Sequence, residues 1–196
     1  ERIARIFLGV DAGHFRPPAQ RRERGKKLRM LLLGSTERDH GFAAKVAAQL
    51  PREKFEWRVR TDSHEKSYYA GAPSVLLLPR MSDEDFLREC QEADVLAMPM
   101  LDSAANDVIL ESMACGTPVM VNRTGGVPEY VDAGCNFVMD ADAEVDEWGE
   151  KLLWLERNRE VAERLRPATR AWAERFDWKL IAEDYRAMYR QVLARG

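Results

Sequence analysis

Residues 109–131, Ile109-Leu110-Glu111-Ser112-Met113-Ala114-Cys115-Gly116-Thr117-Pro118-Val119-Met120-Val121-Asn122-Arg123-Thr124-Gly125-Gly126-Val127-Pro128-Glu129-Tyr130-Val131, decide the fold, because helix, strand and glycine turn follow one another there without a gap. Ile109, Leu110, Met113 and Ala114 recur at helical spacing, and Gly116 stands where a left-handed C-cap residue is expected. Pro118 then starts an apolar run, Val119-Met120-Val121, of the kind buried on both faces in a parallel sheet. Gly125-Gly126 follows directly, and Pro128-Glu129 opens the next helical segment. A Gly-Gly pair at the C-terminal end of a strand lets backbone N–H groups face the crevice where open α/β sheets take ligands. Glu111 is the odd residue, a carboxylate in an otherwise apolar helix face; taken alone it reads as a solvent-facing helix glutamate.

Outward from this stretch, strands and helices alternate every twenty to thirty residues. Residues 28–33 form the first clear strand and end at Gly34-Ser35-Thr36, and residues 41–50 carry alanines, Val46 and Leu50 at helical spacing before Pro51. Residues 55–59 alternate and read as a second strand placed toward an edge. Residues 75–78 are a third strand cut off by Pro79, residues 83–93 a helix with Ser82 as N-cap, and residues 95–98 a fourth strand stopped by Pro99. Residues 136–139 add a sixth strand, and helices are predicted over 145–156, 161–176 and 178–193, the last after the N-cap Asp177. This order predicts an α/β domain, a Rossmann-like doubly wound parallel sheet with C-terminal helices.

The 196 residues, 45% of them hydrophobic, suffice for one domain with a real core. With 30 basic and 33 acidic residues the net charge is -3, so no global field favours nucleic acid, and an anionic ligand must be held locally. No apolar run reaches the length of a bilayer crossing, and Glu1-Arg2-Ile3-Ala4-Arg5 lacks a signal-peptide core, which places the expected location in the cytoplasm. Cys90, Cys115 and Cys135 lack ligand spacing and read as reduced, buried thiols. His14, His40 and His64 have no paired carboxylates at ligand spacing, so no metal site is expected. Residues 20–27 are charge-dense and read as a solvated connector.

Glu-Ser-Met-Ala-Cys-Gly-Thr-Pro-Val (111–119) followed by Gly-Gly-Val-Pro-Glu-Tyr-Val (125–131) resembles the donor-binding signature of GT-B retaining glycosyltransferases, group 1 or family 4-like. The resemblance implies the C-terminal, nucleotide-sugar-binding half of a GT-B fold. It implies that Glu111 accepts hydrogen bonds from the ribose hydroxyls of a UDP- or GDP-sugar, a task that suits a carboxylate's two acceptor oxygens. No cofactor or metal is implied, the nucleotide sugar being the donor substrate. Residues 6–17 resemble the segment by which such chains enter their C-terminal domain. Residues 1–25 are therefore read as an interdomain linker, residues 26–176 as the nucleotide-sugar-binding domain and residues 177–196 as the C-terminal crossover helix. The implied partner is an N-terminal domain carrying the acceptor site, and the full-length protein would sit in the cytoplasm or at the inner face of the membrane. Without that domain, a stripe of Trp178, Ile181, Tyr185 and Met188 would promote self-association.

Two departures from the family pattern stand out. The glutamate that usually lies eight positions before the ribose-binding one is replaced by Ser103, which leaves Asp102, Ser103 and Asn106 as the residues expected to face the donor sugar. The arginine and lysine usually found after the first strand are replaced by Ser35 and His40. A departing diphosphate needs cations or aimed N–H groups, and the candidates are Arg38, Arg123, Gly34 and the Gly125-Gly126 amides. Glu129 is expected to cap its helix. The implied function is transfer of a hexose-type sugar with retention; no catalytic residue is assigned, and the isolated domain is expected to be inactive. The alternative is a degenerate, non-catalytic interaction module, motivated by the replaced residues. An epimerase of related fold fits the order of the signature less well.

Overall fold

The computed structural model describes residues 5–21, 23 and 25–194; residues 1–4, Arg22 and Arg24 of the connector, and residues 195–196 lie outside the described residues. Six strands, β1 (Leu28–Leu33), β2 (Phe55–Arg60), β3 (Val75–Leu77), β4 (Val95–Ala97), β5 (Val119–Asn122) and β6 (Phe137–Met139), form one sheet in the order β3-β2-β1-β4-β5-β6. Every pairing is parallel. The order reverses between β1 and β4, so the crevice of this doubly wound sheet lies at the C-terminal ends of those strands.

The helices are α1 (His40–Gln49), α2 (Asp83–Glu92), α3 (Asp107–Ala114), α4 (Val127–Tyr130), α5 (Val145–Arg157), α6 (Arg159–Ala173) and α7 (Trp178–Leu193). α1 packs with α5, and α3 packs with α6. Side-chain caps match the local chemistry: Asp39 accepts from the Phe42 N–H, Ser82 from Asp85 and Asn106 from Ile109. Gly116 ends α3 at φ 72°, the left-handed conformation that its position predicts.

β1, β4 and β5 are almost wholly buried. β2 lies second from the edge, in keeping with its placement toward one, and β3 is the edge strand on that side, with Leu76 and Leu77 exposed. β2 alternates because its two faces meet different layers. Phe55, Trp57 and Val59 enter the core, while Arg58 on the other face meets Glu89 of α2 at 2.6 Å. Burying a side chain of that size contributes about 1.5–3 kcal/mol relative to leaving it in water. A 3-10 segment, Glu65–Gly71, fills a stretch for which no element was predicted.

The first described residues meet the last helix. Val10 donates to Phe176 at 2.8 Å, Trp178 donates to Val10 at 3.0 Å, and Phe7 packs edge-on against Tyr130 and Phe176. Gly9 lies under the Trp178 indole, where a Cβ would come within 2.5 Å of the ring. On α7, Ile181 is buried and Met188 half-buried, while Trp178 and Tyr185 of the expected stripe are exposed, together with Leu180, Tyr189, Val192 and Leu193. Among the described residues no helix is long and apolar enough to cross a membrane.

Candidate functional site

Loops at the C-terminal ends of β1, β4 and β5 are laced side by side. Leu101 donates to the Glu37 carbonyl at 2.9 Å and Asp39 to the Pro99 carbonyl at 3.0 Å, joining the loop after β1 to the loop after β4. Glu37 adopts φ 60°, the one left-handed non-glycine backbone among the described residues. Asn122, at the end of β5, holds Met100 by both backbone groups, accepting from its N–H at 2.7 Å and donating to its carbonyl at 2.9 Å. The Gly126 N–H is donated to the Ser103 carbonyl, so one of the two predicted glycine amides is already engaged. A Cβ on Gly126 would overlap the Ala104 carbonyl, and Gly125 sits at φ 47° against Asp102 and Ser103. Glycine is required at both positions by close backbone approach.

Glu111 leaves α3 toward a cavity of about 520 Å³, lined also by His14, Phe15, Asp83, Phe86, Asp107 and Val108. Burial, with the Asp107 carboxylate adding to it, pushes the Glu111 carboxyl up to about 7. Asp83, Phe86 and Val108 also line an adjoining cavity of about 280 Å³, bordered by Gly34, Arg60, Arg80 and Met81. Gly34 and Glu111 thus stand at the two ends of one cleft. Arg170 secures its His14–Phe15 wall by donating to the carbonyls of Ala12 at 2.9 Å, Phe15 at 2.7 Å and Ala114 at 2.6 Å.

The other predicted residues are placed differently. Asp102 is exposed and accepts from the Ser103 N–H at 2.7 Å, while Ser103 is buried, facing Ile109, Val127 and Tyr130. The Asn106 side chain caps α3 and accepts from Arg38 at 3.3 Å. Arg38 lies against Gly34, with further bonds to the carbonyls of Leu33 at 3.1 Å and Thr36. Arg123 is exposed. Glu129, in the first turn of α4, pairs with Arg5 at 3.1 Å.

His40, in the place of the expected lysine, is buried. Nδ1 lies 2.7 Å from the Tyr69 hydroxyl and Nε2 3.0 Å from the Gly34 carbonyl, so Nε2–H donates and Nδ1 accepts from the tyrosine. Burial lowers its pKa and keeps it neutral, which removes it as a counter-charge. Arg60 and Arg80 are the cations that sequence reasoning missed. One is the last residue of β2 and the other follows β3 by three positions, and the rule that such sheets bind ligands at strand C-termini was the signal available. The cysteines are free and buried, with Cys115 pushed up to about 12 by burial. Among the described residues no cluster is placed to hold a metal ion.

Residues 21–172 match the family model for glycosyl transferases group 1. A D-inositol 3-phosphate glycosyltransferase of Saccharomonospora viridis is 31% identical over 117 residues, 60% of this chain and 27% of the relative. A second, from Corynebacterium jeikeium, is 29% identical over 120 residues, 61% and 28% of the two chains. The chain thus spans just over a quarter of the length of these relatives. Among solved structures, a sucrose-phosphate synthase from Thermosynechococcus elongatus superposes with a TM-score of 0.81 at 18% identity, over 96% of this chain and 52% of the other. HepE of Anabaena in complex with UDP-glucose superposes with a TM-score of 0.77 at 16% identity, over 95% and 57%. At these identities the likeness is one of fold.

Proposed function

The chain belongs to the glycosyl transferases group 1 family, and from that premise we propose that its cleft binds a nucleoside diphosphate sugar, UDP- or GDP-linked, for transfer of a hexose-type sugar to an acceptor with retention. The observation that carries this reading is Glu111, a half-buried carboxylate facing a cavity large enough for a nucleoside. Its two oxygens suit a vicinal diol, and Phe86, Met81 and Val108 supply an apolar wall for a base.

Transfer breaks the bond between the anomeric carbon and the diphosphate oxygen and forms one to an acceptor oxygen. Negative charge develops on the leaving diphosphate, and it is stabilised by cations already in place. Arg60 and Arg80 border the Gly34 end of the cleft and are assigned that role here, with Arg123 a further candidate on the rim. Asp102 is the polar side chain of the β4–α3 loop left exposed toward a donor sugar. The acceptor site is assigned to a separate N-terminal domain, against which the exposed residues of α7 would pack. The domain alone would then bind nucleotide and transfer nothing.

Calorimetric titration with UDP, GDP and ADP tests the reading. Saturable binding of at least one supports it, and absence of binding to all three refutes it.

A further inference from the structure

We infer that Arg38 is a positioning residue, one that ties the Gly34 turn to the N-cap of α3 and so holds the two ends of the nucleotide cleft in a single frame. The inference rests on the nucleotide-binding reading above and gives Arg38 a bracing role in place of the phosphate contact expected from the sequence.

Three bonds define the brace. The Arg38 guanidinium donates to the Leu33 carbonyl at the end of β1, to the Thr36 carbonyl within the turn, and to Asn106 Oδ1 at 3.3 Å. It lies directly behind Gly34, whose added Cβ would come within 3.2 Å of its central carbon and one terminal nitrogen. The same Asn106 oxygen accepts from the Ile109 N–H at 3.3 Å, and Glu111 stands half a turn further along α3. One oxygen therefore joins the turn after β1 to the helix that presents the carboxylate. Backbone contacts run alongside, with an antiparallel bridge between Arg38 and Met100. Arg38 is half-buried; burial lowers its pKa, and the nearby carboxylates of Asp107, Glu37 and Glu65 offset that cost in part. A guanidinium has five donors in a planar fork, which suits it to hold several carbonyls at once.

The test separates bracing from phosphate contact. Wild type, Arg38→Ala, Asn106→Ser and the double variant are titrated with UDP, GDP, uridine and guanosine, each variant first shown by circular dichroism to be folded at the temperature used. Serine caps a helix as well as asparagine does but is too short to reach Arg38, so Asn106→Ser breaks the brace and spares the cap. The expected result is a rise in Kd of about tenfold for diphosphate and nucleoside alike in either single variant, with the double variant no worse than the singles. Amide hydrogen exchange should quicken together in residues 34–39 and 107–110 of both single variants. A loss confined to the diphosphates makes Arg38 a phosphate ligand and overturns the inference. Unchanged affinities, or single losses that multiply in the double variant, overturn it as well. If wild type binds none of the four, the nucleotide-binding reading itself falls, and the role given to Arg38 falls with it.

Discussion

Gly126 donates its N–H to the carbonyl of Ser103, and a Cβ at position 126 would overlap the carbonyl of Ala104. The glycine turn after β5 and the loop after β4 thus meet backbone to backbone, with no room between them for a side chain. Gly126→Ala is expected to destabilise the domain by about 2 kcal/mol or more, because the obstructing atom belongs to the main chain and cannot rotate away. Chemical denaturation measures this. A loss below about 0.5 kcal/mol would mean that the two loops separate easily.

Glu111 should set stability and binding against each other. Its folded pKa of about 7 lies above the usual carboxylate range, so the folded state holds a proton that the unfolded chain has released. Stability is greatest below the unfolded value, falls as pH rises toward 7 and is flat beyond. Glu111→Gln should therefore raise Tm at pH 8, by an amount that shrinks toward zero near pH 4, while weakening nucleotide binding. A variant less stable than wild type at pH 8 contradicts the assignment.

His40 works in the opposite sense. Burial lowers its pKa, and Tyr69, Gly34, Thr61 and Glu65 occupy its ring nitrogens. As pH falls below about 6.5 the unfolded chain takes up a proton that the folded chain refuses, so stability declines. His40→Gln should start from a lower Tm but show a shallower decline between pH 7 and 5. Parallel profiles for the two proteins would show that another group controls the acid limb.

Glu89 sits between two arginines, 3.1 Å from Arg29 and 2.6 Å from Arg58, and these charges hold its carboxyl below the usual carboxylate range against the effect of burial. Glu89→Ala leaves both guanidiniums under-paired and should cost about 3 kcal/mol of stability, read by denaturation. Nucleotide affinity at a temperature where the variant is folded should not change, because none of Arg29, Arg58 and Glu89 lines the cleft.

The layered architecture was legible because each buried strand is an apolar run bounded by Gly or Pro, as in 95–98 before Pro99 and 119–121 after Pro118. Residues 65–71 were not, since a polar 3-10 turn has no hydrophobic period to detect. Alternation in β2 suggested a place toward an edge, and β2 lies second from it; its polar face is covered by α2 and the Glu89 ion network, which alternation could not show. At the site, Glu111 stood out as a carboxylate in an apolar helix face, but it was the resemblance of residues 111–119 and 125–131 to a donor-binding signature that implied its role. The burial of His40 and Ser103 and the bond from Arg38 to Asn106 depend on loops 21 to 68 residues apart meeting in space, which no local pattern encodes. Arg60 and Arg80 were passed over because each looks like a solvent-facing arginine until both strands are placed side by side.

The central claim is that the Glu111 carboxylate reads the ribose of a nucleoside diphosphate. Titrating wild type and Glu111→Ala with UDP and GDP at pH 8, where the carboxylate is ionised, tests it most directly. Loss of a charged acceptor that receives hydroxyl hydrogen bonds should cost about 1.5–3 kcal/mol, a rise in Kd of roughly tenfold to a hundredfold. Wild-type affinity for uridine, which has no phosphate to titrate, should also strengthen as pH rises through about 7, and that dependence should vanish in the variant. Equal affinities for the two proteins, or a pH dependence that the variant keeps, would contradict the account.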